Sequence, residues 1–187
     1  MTLLDQLTRP FANRFRVRPI NHVPSPLLAQ ATPWLSILLA SLLPQMPVIA
    51  SAAVLPPFGL LVLLAWRQVR PGVLPVWAGL PLGMFDDLFS GQPFGSAILL
   101  WSAAMIGLEV IEARFPWRSY WLDWLVAAGL ICACQLLGLA FANAAGGSAA
   151  ITVLLPQLAT SILLYPLSGR LVAALDRLRL MPIVELD

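Results

Sequence analysis

Residues 83–95 read Gly83-Met84-Phe85-Asp86-Asp87-Leu88-Phe89-Ser90-Gly91-Gln92-Pro93-Phe94-Gly95, and they join two apolar runs. The run before the acids, 73–85, extends only about 20 Å as a helix. The hydrocarbon core of a bilayer is about 30 Å thick. Either Asp86 and Asp87 sit below the membrane surface, or neighbouring helices shield this run from lipid. Carboxylates at the end of a helix face the negative end of its dipole. They are better placed at the start of the next helix, which follows a tight Ser90-Gly91 turn. The stretch therefore reads as a structured turn. Its candidate working parts, or candidate partner contacts, are Asp86, Asp87, Ser90, Gly91, Pro93 and Gly95. A proton or cation site is the functional alternative, since acids within membranes often serve that way. No Lys, Arg or His lies inside an apolar run to pair with them.

Outward from this joint the chain is a series of apolar runs, at 26–43, 48–66, 73–85, 93–111, 121–141 and 151–167. A helical crossing needs about 20 apolar residues. The pattern predicts an all-α integral membrane protein with six transmembrane helices, in three hairpins. Pro56-Pro57 should kink the second helix in its middle. Trp66, Trp117, Tyr120, Trp121 and Trp124 fall near the expected interfaces, where aromatic belts form.

All eleven cationic side chains are arginines. They cluster at Arg9, Arg14, Arg16 and Arg18, at Arg67 and Arg70, at Arg114 and Arg118, and at Arg170, Arg177 and Arg179. The alternate connections, around Gln45, Gln92 and Gly146, carry none. Cytoplasmic loops retain positive charge and short translocated loops avoid it. Both termini are therefore expected in the cytoplasm of a multi-pass inner-membrane protein. The organisation reads as a basic, Pro-containing cytoplasmic arm at 1–25, a six-span domain at 26–170 and a cytoplasmic tail at 171–187.

Composition points the same way. The chain of 187 residues is 59% hydrophobic and 11% charged, whereas a soluble domain is about 25% charged. The net charge of +2 is small and its arginines are dispersed, which argues against nucleic acid as a partner. Cys132 and Cys134 lie two apart in one run, so a disulfide or shared metal is not expected. The first apolar run follows a long basic arm without a cleavage pattern, so no cleavable signal peptide is expected.

In the arm, Leu4, Leu7, Phe11 and Phe15 recur at three or four residues among arginines. Thr8 is placed to cap a helix from Pro10. An amphipathic helix on anionic lipid and a basic arm that only sets topology fit equally well. Pro19, Pro24 and Pro26 make an extended connector.

Other candidates are weaker. Glu109 lies one turn before Glu112 and near Arg114, and reads as an interfacial acid paired with cytoplasmic arginines. His22 has neither a second histidine nor a nearby cysteine, so no metal or other cofactor is expected. Ser, His and Asp show no triad spacing, and Gly146-Gly147 lacks the lysine of a phosphate loop. Small residues four apart mark candidate packing faces at Ala103/Gly107, Gly129/Ala133 and Gly138/Ala142. Most such faces pack internally, and one is available to a partner's helix.

The spans from about Pro33 to Arg179 and the motif at 83–95 resemble the bacterial rod shape-determining protein MreD family. The family shows a Gly, Asp-Leu, Ser-Gly, Pro-Leu-Gly pattern. Here Asp87-Leu88, Ser90-Gly91 and Pro93-Phe94-Gly95 fit it, with Phe94 in place of Leu and Asp86 as an added acid. The arm before Pro33 lies outside the resemblance. The resemblance implies a non-enzymatic inner-membrane scaffold of the elongasome, required for rod shape and peptidoglycan elongation. It implies a complex with an MreC-like single-span protein. Through that complex it implies action with MreB, RodZ, RodA and a class B penicillin-binding transpeptidase. The implied fold is similar to the substrate-binding subunits of energy-coupling-factor transporters. That fold suggests the alternative, a membrane subunit of a vitamin-type transporter with a small solute bound between its helices. A membrane-embedded enzyme would need a polar cluster that the sequence does not offer.

Overall fold

A computed structural model describes residues 26–45, 55–115 and 119–179. The expectations for the arm, for His22, for the start of the second run, for Trp117 and Arg118, and for 180–187 lie outside the described residues.

Within these limits the chain is all helical. The six α-helices are α1 Pro26–Leu42, α2 Phe58–Val69, α3 Gly79–Phe89, α4 Ser96–Arg114, α5 Tyr120–Ala144 and α6 Ile151–Arg179. Short 3-10 turns at Leu43–Gln45 and Val76–Ala78 extend α1 and lead into α3. Three helices, α4, α5 and α6, are long and apolar enough to cross a membrane. The other three are shorter. As a helix, the eleven residues of α3 reach only about 16 Å.

Helix α2 is the centre. Its residues from Gly59 to Arg67 are all buried, as befits a helix that is apolar on every side. The remaining helices surround it, with neighbours in the order α1, α3, α4, α5, α6 and back to α1. Leu60, Leu61, Leu63, Leu64 and Trp66 of α2 meet Ile37 of α1, Met105 and Leu108 of α4 and Ile131 of α5 in one apolar core. The outward faces of α5 and α6 expose Leu125, Leu137, Leu163, Leu167 and Leu171. A bilayer solvates such a surface and water does not.

Several boundaries differ from those expected, and proline or glycine explains the shifted helix starts. Pro56 and Pro57 precede α2 rather than kink it, since a proline at a helix start loses no intrahelical bond. The third helix begins at Gly79, not at 73, because Gly72 is left-handed and Pro75 is extended. The fourth begins at Ser96, not at 93, because Gly95 has φ 97°. The sixth runs on past 167 to Arg179 with Pro156 and Pro166 inside it.

A proline within a helix leaves the carbonyl four residues earlier without its donor. Pro33 does this to Ala29, whose carbonyl accepts from an Arg179 Nη at 2.6 Å. Pro166 does it to Ile162, whose carbonyl accepts from the Trp124 indole at 3.3 Å. Neighbouring helices thus satisfy the groups that Pro33 and Pro166 release, which is what tolerance of proline in a membrane requires. Each of these bonds also ties two helices together.

Trp66 corrects the aromatic-belt reading. It is fully buried, donates from its indole to Ser36 Oγ at 2.8 Å, and lies under the Arg179 guanidinium. Tyr120 and Trp121 are exposed at the start of α5.

Candidate functional site

The joint between α3 and α4 is built from glycine outward. A Cβ on Gly83 would stand 2.6 Å from the carbonyl oxygen of Ala97, and one on Gly79 would stand 2.9 Å from the backbone of Ser102. Only glycine lets the two helices approach this closely. The approach brings Asp87, in the last turn of α3, against the first turn of α4.

Asp87 is 6% exposed. Its Oδ1 accepts from the Ala97 amide at 2.9 Å and from the Ser96 hydroxyl at 3.3 Å. Its Oδ2 accepts from the amides of Gly95 at 3.0 Å and Ile98 at 3.1 Å. The first amides of a helix have no partner within it. Gly95 stands at the cap position of α4 and brings no side chain to serve them. A carboxylate from the preceding helix does so instead, at the positive end of the α4 dipole. The turn between is shaped by Gly91 at φ 67° and Gly95 at φ 97°. Within it the Gln92 amide donates to Ser90 Oγ at 3.4 Å, and the Ser96 amide donates to the Pro93 carbonyl at 3.0 Å.

Asp86 points elsewhere. It lies beside the Ser41 hydroxyl of α1. It also lines a cavity of about 290 Å³ between α2, α4, α5 and α6. Apolar walls come from Leu60, Leu100, Trp101 and Val153, and polar groups from Gln92, Ser96, Gln135 and Gln157. Gln135 Nε2 donates to Ser161 Oγ at 2.7 Å, and Gln157 Nε2 donates to the Leu55 carbonyl at 2.9 Å.

The opposite end of the bundle holds a second polar cluster. Arg67, at the end of α2, is 4% exposed and pairs with Glu109 and with Glu112, the latter at 3.1 Å. It also donates to the Leu74 carbonyl at 3.4 Å. Glu109 thus meets an arginine of another helix rather than Arg114. Arg70 and Arg179 both pair with Asp176, at 3.7 and 2.7 Å. Tyr165 donates to Gln68 at 2.6 Å, and Gln68 donates to the Asp123 carbonyl at 3.0 Å. The ends of α2, α4 and α6 and the start of α5 are locked together there.

The small-residue faces divide. Gly138 is buried and packs on Leu100, and Ala142 lines the cavity. Gly107 meets Leu130 of α5, whereas Ala103 is exposed. Gly129 and Ala133 are both exposed, and nothing lies within 4 Å of where a Gly129 Cβ would stand. The closest small-residue approach to the backbone of another helix is at Gly79/Gly83, a pair with plain four-residue spacing that is not among the expected faces. Gln135 and Gln157, amides inside apolar runs, are further polar residues outside the expected set. Among the described residues no three His, Cys, Asp or Glu side chains gather as a metal would require.

Comparisons of the chain with protein-family models, with curated proteins and with solved structures gave no match.

Proposed function

We propose that this chain is a non-enzymatic inner-membrane scaffold of the MreD kind. In this reading it crosses the bilayer six times with both termini in the cytoplasm, and acts in cell-wall elongation through an MreC-like single-span partner. One observation carries the reading. The motif on which the resemblance rests forms a structural joint, with Asp87 at its centre. All four hydrogen bonds of Asp87 go to the start of α4. That is the chemistry of a rigid frame. The short helices α1, α2 and α3 are compatible with six crossings because α2 and one face of α3 are shielded by their neighbours. The locked arginine cluster is the cytoplasmic end under the positive-inside rule.

Two of the connections at the other end are short, at 90–95 and 145–150. In this reading contact with partners falls to helix faces within the bilayer. Lipid gives no hydrophobic drive for helix association, so close packing must supply the affinity. The open Gly129/Ala133 face of α5 suits it. Affinity purification from native membranes tests the proposal. It predicts co-purification of a single-span protein with a large extracytoplasmic part. Recovery of transport ATPases in its place would overturn it.

A further inference from the structure

We infer that the cavity beside the α3–α4 joint is a binding site for a small organic cation, one that presents ammonium N–H donors from an apolar body. The inference rests on the cavity alone and stands or falls apart from the scaffold reading.

A single hydroxyl sets the orientation of the Gln135 amide. Ser161 has one proton, and it goes to the carbonyl of Gln157 in the preceding turn. The Ser161 oxygen can then only accept, so Gln135 must turn its Nε2 towards it. This fixes which way the amide faces. Gln135 Oε1 is left buried with no hydrogen-bond partner among the described residues, on a side chain only 8% exposed that lines the cavity. An unpaired buried acceptor is costly, and a bound donor removes the cost.

The second acceptor is Asp86, the only charged residue of the lining. No cation pairs with it among the described residues. Its neighbour Asp87 is committed to α4, while Asp86 lies beside the Ser41 hydroxyl and lines the cavity. The Gln157 amide nitrogen is already engaged with Leu55. The Ser96 hydroxyl is turned to Asp87, and Gln92 is exposed. The rest of the lining offers acceptors and negative charge, between walls formed by Leu60, Leu100, Trp101 and Val153. A carboxylate or phosphate would be repelled. A purely apolar guest would leave Gln135 unsatisfied. An ammonium group compensates the charge of Asp86, and its N–H donors satisfy Gln135 once the amide turns towards the guest. A space of about 290 Å³ suits a small metabolite rather than a polymer.

Cys134 also lines the cavity, so its alkylation reports occupancy. The full chain carrying Cys132→Ser, in lipid nanodiscs, is treated with N-ethylmaleimide in the presence of phenethylammonium, 2-phenylethanol or phenylacetate. Phenethylammonium at about four times its Kd should slow labelling roughly fivefold. The alcohol should protect weakly and the anion not at all. Protection should be lost in Asp86→Asn and reduced in Gln135→Met, each compared with its own rate without probe. If Gln135→Met fails to accumulate, Asp86→Asn decides. Equal protection by all three probes would overturn the inference. So would absence of protection, persistence of protection in Asp86→Asn, or a Cys134 that no reagent reaches.

Discussion

The indole of Trp124 donates to the carbonyl of Ile162, 3.3 Å away, the acceptor that Pro166 leaves without a donor in its own helix. The bond converts a local defect of α6 into a tie to α5. Trp124→Phe should therefore destabilise the protein by about 0.5–1.5 kcal/mol. In a Pro166→Ala background the helix regains its own amide, and Trp124→Phe should cost less. A double-mutant cycle on unfolding in mixed micelles measures this. Equal costs in the two backgrounds would separate the proline from the indole.

Asp87 and Asp86 should differ sharply in what they do for folding. Asp87→Ala strips the cap from α4 and leaves buried amides unpaired, for a loss of about 2–4 kcal/mol. Asp86→Ala removes no bond to α4 and should cost under about 1 kcal/mol. Protein levels in membranes and thermal midpoints in detergent compare the two. Equal effects would contradict the division of labour between neighbouring carboxylates.

How far the sequence showed this depends on the residue. The acids at 86–87 and the Ser90-Gly91 turn are visible in the chain, because a carboxylate at a helix end has few good places to go. Which acid caps was not derivable from the residues alone. It depends on the rotation of α3 against α4, which Gly79 and Gly83 set through contacts on another helix. The apolar runs marked all six helices, but Pro57, Pro75 and Gly95 moved the starts of α2, α3 and α4, and α6 runs on from 167 to Arg179. The partners of Arg67, and the donors that rescue Ala29 and Ile162, are long-range pairings. No local pattern encodes them.

Arg67 is the buried cation of the opposite end, held by two glutamates from α4. Arg67→Met should be severe, about 3–5 kcal/mol, because it leaves Glu112 partly buried without its counter-charge. Glu109→Gln should be mild, within about 1 kcal/mol, since Glu109 is 55% exposed and Glu112 still neutralises the arginine. Thermal unfolding of the two variants checks the order. A Glu109→Gln effect as large as that of Arg67→Met would mean that the pair acts as one unit.

Topology follows from the arginine distribution. Single cysteines at Gln45, Gln92 and Gly146, in a chain without Cys132 and Cys134, should react with an impermeant maleimide from outside intact spheroplasts. A cysteine at Ala113, beside Arg114, should react only after lysis. Labelling of the first three only after lysis would invert the orientation, and a mixed result would break the six-span reading.

The most direct measurement of the scaffold proposal is photocrosslinking in living membranes. A photoreactive side chain is placed at Ala133, on the open face of α5, and for comparison at Gly138, which faces the interior. The account predicts an adduct with a single-span protein from Ala133 and none from Gly138. The same adduct should be lost when Gly129→Leu blocks the face while the protein remains inserted. Absence of any single-span adduct from Ala133, repeated at Gly129 and Ala103, would contradict the account.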